Sequence, residues 1–296
     1  PYAAITTVSE NYAHELQQTD EDYLTGWLGH RLLDGGVEIV GITNGIDREA
    51  FNPADHERMG LAASFQVGSQ ADDLSGKLTC KKSLLGQICQ PPDEKDEERI
   101  GFISQDPGGP LFTFIGRLSE QKGVDILIEA LELFLDDAVE ASVVCLGSGA
   151  EGLEQALTAV ARDPRYQGRL CFLRTYNTKL ANQVYAAGDY FVIPSRYEPC
   201  GLTDYIAQLF GNLPIVHHIG GLVKVVDGVT GFAYLDNSPE NLSKAMHRAL
   251  ATFEDKPLLR RMQSAAVEKI DKMHTWKRVM QVYVQLYKQC RVDSSI

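Results

Sequence analysis

From residue 111 onward the sequence alternates short apolar runs with stretches of helical spacing, and this alternation restricts the fold more than any other feature. Leu111-Phe112-Thr113-Phe114-Ile115 reads as a strand. Val124 to Phe134 reads as a helix with Ile126, Leu127, Ala130, Leu131 and Phe134 along one face. Ser142-Val143-Val144-Cys145-Leu146 is the next strand, followed by Gly147-Ser148-Gly149 and a helix through Leu157 and Val160. Then come a strand at Leu170-Cys171-Phe172-Leu173, a helix near Leu180 to Ala187, and a strand at Tyr190-Phe191-Val192-Ile193. A helix after Gly201 and a strand at Leu213-Pro214-Ile215-Val216 complete the series. Strands alternating with helices imply βαβ units, so the expected fold is α/β with a doubly wound parallel sheet. Its crossovers are right-handed and its two faces are covered by helices.

Two stretches depart from the alternation. Residues 64 to 109 carry Gly, Asp, Gln, Pro and a charge run from Asp93 to Arg99, with one helical piece near Leu78 to Ile88; they read as a solvated surface excursion. Thr275 to Arg291 reads as an amphipathic helix with Trp276, Val279, Met280, Val282, Tyr283, Leu286 and Tyr287 as its apolar stripe. At the other end, Ala3-Ala4-Ile5-Thr6-Thr7-Val8 is an apolar, β-rich run with nothing before it to pair against, which suggests a piece of a longer protein. The net charge of -12 argues against a phosphate-backbone partner, so no nucleic acid is expected. It leaves room for a nucleotide, because local cations and helix N-termini hold a diphosphate. No run of about 18 apolar residues appears, so no membrane span is expected. The six cysteines form no C-x-x-C pair. A reducing, cytoplasmic compartment is therefore the default expectation, with a plastid as the alternative in a plant or alga.

Ligands of open α/β sheets bind at the carboxyl ends of the strands, so the loops there carry the chemistry. Gly116-Arg117-Leu118-Ser119-Glu120-Gln121-Lys122-Gly123 follows a strand and opens a helix, with Arg117 and Lys122 as two cations near its N-terminus. A phosphate cradle and a solvated loop capped by Ser119 and Glu120 are equally good readings of it. Pro194-Ser195-Arg196-Tyr197-Glu198-Pro199-Cys200-Gly201-Leu202-Thr203 repeats the strand, turn and helix order. Its Gly201 to Thr203 amides would point out of a helix N-terminus at an anion. Glu198, fixed by Pro199, is a poor cap and a good presented carboxylate. Gly220-Gly221-Leu222 alone signals only a tight turn. His217-His218 does not suit a metal, because neighbours on a strand face opposite ways.

In that order and spacing, Gly-Arg-Leu-x-x-Gln-Lys-Gly, Ser-Arg-Tyr-Glu-Pro-Cys-Gly-Leu-Thr and Gly-Gly-Leu resemble the glycogen/starch synthase family of retaining glycosyltransferases. Ile5-Thr6-Thr7-Val8-Ser9, Thr43-Asn44-Gly45-Ile46-Asp47 and Gly76-Lys77-Leu78-Thr79-Cys80-Lys81 match as well, so the resemblance covers residues 1 to about 290. It implies the C-terminal half of a GT-B architecture, in which the active site lies between two Rossmann-like domains. Residues 1–20 would end the N-terminal, acceptor-binding domain. Residues 21–275 would form the nucleotide-sugar-binding domain, and 276–296 a helix returning toward the N-terminal domain, with packing on its own domain as the rival.

The resemblance implies that Arg117 and Lys122 hold the diphosphate of an ADP-glucose or UDP-glucose donor and that Tyr176 stacks on the base. Glu198, Cys200, Gly201 and Leu202 would line the glucose, Leu202 and Thr203 would also reach phosphate, and Asn44 would face the transferred sugar. No cofactor or metal is implied. The transition state resembles a glucosyl cation, and fixed cations and dipoles can hold the leaving phosphate. The partner would be an α-1,4-glucan acceptor, reached through the missing N-terminal domain, and the isolated chain would be inactive. The sequence departs from the family pattern at Ile219, Lys224 and Val225 around Gly-Gly-Leu, at Tyr197 and Thr175, and at His217-His218. Two rival functions are a non-catalytic nucleotide-binding module and a GT-B transferase for another acceptor. Arg117, Lys122 and Glu198 together count against the first. Ile206, where such transferases carry a second carboxylate, counts against the other.

Overall fold

The computed structural model describes residues 4–69, 71–93, 95–104 and 109–293. Its first part is a small unit of β1 (Ile5–Thr7), α1 (Glu10–Gln18), α2 (Leu28–Asp34) and β2 (Ile39–Gly41). β1 pairs in parallel with β2, Thr6 opposite Val40, so the partner of the first strand comes after it in the chain. This pairing carries the unit to Gly41, past the division expected at residue 20.

The main body follows. α3 (His56–Met59) and α4 (Ser75–Gln87) lead into β3 (Arg99–Ile103), β4 (Leu111–Ile115), α5 (Val124–Asp137) and β5 (Ser142–Leu146). Next are α6 (Glu151–Arg162), β6 (Arg169–Leu173), α7 (Thr178–Ala187), β7 (Tyr190–Ile193), α8 (Thr203–Leu209) and β8 (Leu213–His217). β9 (Phe232–Tyr234), α9 (Pro239–Glu254), α10 (Lys256–Lys269) and, after a π-helical turn at Ile270–His274, α11 (Trp276–Asp293) close the chain. The sheet order is β3-β6-β5-β4-β7-β8-β9. All neighbours are parallel except β3, which runs antiparallel to β6.

Every residue of β4, β5 and β7 is buried, as expected for strands covered on both faces. Alternate residues divide between two cores. Phe112, Phe114, Val143 and Cys145 pack with α5 and α9, for example on Phe134 and Met246. Leu111, Ile115, Val144 and Leu146 pack with α4 and α7, on Leu84 and Val184.

The stretch 64–109 is more than a surface excursion. Phe65, Val67, Ile100 and Ile103 are buried, and β3 supplies an edge strand whose Gly101 faces Cys171. Only Ile100 and Ile103 of its five residues are buried, one in each core, because an edge strand has a neighbouring strand on one side only. The lysines of α4 are structural. Lys77 Nζ donates to the carbonyls of Ala186, Gly188 and Phe210 at 3.1, 2.5 and 2.8 Å, closing the C-terminal ends of α7 and α8. Lys81 Nζ pairs with buried Asp189 at 2.6 Å. On α11, Val279 is buried, whereas Trp276, Met280, Val282 and Tyr287 are exposed.

Candidate active site

β4, β5 and β6 are laid down in one direction across the sheet, and the chain then returns to place β7 on the other side of β4. The order therefore reverses between β4 and β7, and the loops leaving these two strands face a crevice at their carboxyl ends. Open α/β sheets hold their ligands at such a reversal. Those loops are residues 116–123 and 194–202, which fall within two of the three stretches singled out by sequence.

They are joined through their backbones. Arg196 N–H donates to Gln121 O at 2.9 Å, and Gln121 Nε2 donates to Tyr197 O at 3.3 Å. Arg196 also forks onto Asp125 at 2.5 and 2.6 Å, and this bidentate pair holds the Asp125 carboxyl below its ordinary range. Gly123 sits at φ +64°, and a Cβ there would lie 1.9 Å from Pro194 O, so only glycine lets the loops approach this closely. The Gly-Gly turn closes the site from below. Gly221 N–H donates to Glu198 O at 2.8 Å, and a Cβ on Gly220 or Gly221 would meet the carbonyls of Glu198 or Cys200 at 2.0 Å.

This framework brings Lys122 Nζ to 2.5 Å from Glu198 Oε2, and Ser195 Oγ donates to the same oxygen at 3.1 Å. The carboxylate is 12% exposed and the lysine 23% exposed, so the pair is partly shielded yet keeps contact with solvent. Beyond Pro199, Cys200 and Gly201 are buried, Leu202 is 42% exposed, and Thr203 starts α8. No side chain caps that helix at Leu202, so its first-turn amides have no intrahelical acceptor. The backbone N–H of Asn44 lies at the Cys200 thiol, and burial pushes that thiol up despite the contact. Arg117 follows β4 at the same edge, is exposed, and forms no ion pair among the described residues. Tyr176 follows β6 and is 69% exposed. Neither hydrogen-bonds to the Lys122–Glu198 pair among the described residues.

Sequence reasoning missed the residues that hold the site to the N-terminal unit. Ser9 Oγ donates to Pro199 O at 2.7 Å, Tyr12 and Tyr197 share a hydroxyl contact, and Glu15 Oε1 accepts from Gly220 N–H at 2.8 Å. Burial raises the Glu15 carboxyl above its usual range. The one available signal was Ser9, which reads as the N-cap it is, with its hydroxyl accepting from Tyr12 N–H. His217 is turned inward, with Nδ1 2.8 Å from Ser195 O and Nε2 3.0 Å from Leu235 O. Lys224 points under the Cys200-Gly201 turn and not into the crevice.

The sequence model of the family described as Glycosyl transferases group 1 matches residues 109–252. The glycogen synthase of Thioalkalivibrio sulfidiphilus is 35% identical over 295 residues, covering 96% of this chain and 55% of that protein. That of Myxococcus xanthus is 36% identical over 270 residues, covering 90% and 51%. The catalytic domain of starch synthase IV from Arabidopsis thaliana, solved bound to ADP and acarbose, superimposes with a TM-score of 0.79 at 27% identity, covering 97% of this chain and 56% of that one. The chain thus spans about half the length of the curated relatives it matches. No helix among the described residues is long and apolar enough to cross a membrane. Motifs, sheet order and comparisons agree: the chain carries a glycosyl transferases group 1 domain and is similar along nearly its whole length to about half of a glycogen or starch synthase.

Proposed function

We propose that the chain forms the nucleotide-sugar-binding wall of a glucan synthase. That enzyme transfers glucose, with retention, from ADP-glucose or UDP-glucose to the non-reducing end of an α-1,4-glucan. The observation that carries this reading is the Lys122–Glu198 contact at the β4/β7 reversal, beside the uncapped start of α8. A leaving nucleoside diphosphate needs fixed positive charge, which Lys122, Arg117 and the α8 amides supply. A donor phosphate would take Lys122 from Glu198, freeing the carboxylate to face sugar hydroxyls and the charge that grows on the ring. Tyr176, exposed beyond β6, offers a face for the base, and Asn44 and Cys200 close the sugar end. The solved relative bound to ADP and acarbose supports both the nucleotide and the glucan-like acceptor.

The test is radiolabelled glucose transfer to glycogen by this chain joined to an acceptor-binding half of relative length. Glu198→Ala should lower kcat by about two to three orders of magnitude while donor KM changes little, because the carboxylate acts on charge present only in the transition state. Transfer that survives this change removes Glu198 from the mechanism. Lys122→Ala should weaken ADP or UDP binding by roughly 1.5–3 kcal/mol, the range for a charge-assisted contact. An unchanged affinity in calorimetry would remove Lys122 from the phosphate site.

A further inference from the structure

Lys224 is one of the positions at which the sequence departs from the family pattern, and the structure gives it a task of its own. Its ammonium donates to Cys200 O, Gly201 O and Gly221 O at 2.5, 2.6 and 2.9 Å. It lies 3.1 Å from Asp204 Oδ1, on the first turn of α8, and 4.4 Å from the centre of the Tyr205 ring. Its side chain is 9% exposed and that of Asp204 is 0% exposed, so the cation is sealed beneath the turn and cannot itself reach a ligand in the crevice.

The consequence follows from peptide geometry. The described residues contain no cis peptide bond, and in a trans peptide the carbonyl and the following N–H point opposite ways. With Cys200 O and Gly201 O both drawn down onto Lys224, the N–H groups of Gly201 and Leu202 must point up, toward the side on which Leu202 is exposed. These are amides that the donor reading assigns to phosphate and sugar. We propose that Lys224 is a positioning residue: a buried cation, balanced by Asp204, that fixes the two peptide planes of the Cys200-Gly201-Leu202 turn so that their amides stand ready for an anionic diphosphate. Donors aligned in advance need not reorganise when the anion arrives, which is where such amides derive their strength. Lys224→Met alone would strand the Asp204 charge, so the clean variant removes both charges.

The inference rests on the donor reading above, and the experiment separates the two. Affinities of the 296-residue chain for ADP and adenosine, and for UDP and uridine, are measured by titration; the ratio within each pair isolates the contribution of the phosphates. The Asp204→Asn/Lys224→Met variant should lose about tenfold in diphosphate affinity, leave nucleoside affinity unchanged, and shift the amide resonances of Gly201 and Leu202. Lys224→Arg, which keeps the charge but cannot gather three carbonyls at one atom, should fall between. A folded double variant with the wild-type ratio overturns the proposal, as does an equal loss for diphosphate and nucleoside. If the double variant fails to fold, Lys224→Arg decides on the same ratio. A wild-type chain that binds neither diphosphate more tightly than its nucleoside sinks the donor reading itself.

Discussion

Asp204 and His274 lie in the same buried cluster beneath the donor turn, and their titrations oppose each other. Burial outweighs Lys224 and moves the Asp204 carboxyl up to about 6 from an ordinary 3.8. Burial, followed by Lys224 and Lys269, moves His274 down to about 4 from 6.5. The folded chain therefore keeps a proton on Asp204 that the unfolded chain gives up, a stabilisation present at low pH and lost as pH rises through about 6. His274 does the reverse: it stays neutral when folded while the unfolded chain takes up a proton, so stability falls as pH drops from 6.5 toward about 4. In the wild type these slopes offset. Asp204→Asn should leave stability rising with pH across this window and His274→Gln should leave it falling, each by ~3 kcal/mol. Urea unfolding at several pH values reads the slopes, and two variants sloping the same way would contradict the assignment. The residue scale is also where the sequence was hardest to read. Lys224 stood out as a departure, but its inward turn depends on carbonyls over twenty positions away. Lys122 and Glu198 were legible because each closes a strand-to-helix loop with a glycine or proline beside it.

At the scale of elements, α4 shows how a helix rich in lysine can be part of the interior. Lys77 spans from α4 to the C-terminal ends of α7 and α8, the helices of two successive crossovers on one face of the sheet. Burial lowers its ammonium to about 8, and the Asp189 charge counters this in part. Lys77→Met fills the same space but leaves three carbonyls without their donor. The expected loss is about 3 kcal/mol or more in urea unfolding, since each buried unsatisfied group costs about 1–3 kcal/mol. A change below about 0.5 kcal/mol would show that these helix ends find other partners. The role was invisible in sequence because the acceptors lie over 100 positions downstream, although the Gly-Lys-Leu-Thr-Cys-Lys motif marked the helix as belonging to the family pattern. Strands β4 to β8 were plain, being continuous apolar runs buried on both faces. β3 was hidden by its partial burial, its central Gly101 and the charge run before it. β9 is three residues long and follows glycines, too short a run to stand out as a strand.

On the scale of the whole molecule, the groups gathered at the β4/β7 reversal come from one wall of a crevice. The N-terminal unit touches that wall through Ser9, Tyr12 and Glu15, which fix the turn from the side. The proposed donor reading puts the phosphate, sugar and base contacts in this chain, so the 296 residues should bind ADP or UDP measurably on their own. Transfer asks for more. A glucosyl cation-like centre must be shielded from water and met by an acceptor hydroxyl held in line, and a single wall leaves the bound sugar open to solvent. The chain alone should therefore bind nucleotide in calorimetry yet incorporate no radiolabel from ADP-glucose or UDP-glucose into glycogen. The same assay should show incorporation when an acceptor-binding half is joined to it. Elongation by the 296 residues alone would show that this wall suffices and that the second domain only tunes the reaction. Absence of both binding and transfer would instead overturn the donor reading, because the phosphate contacts it invokes all lie in this chain.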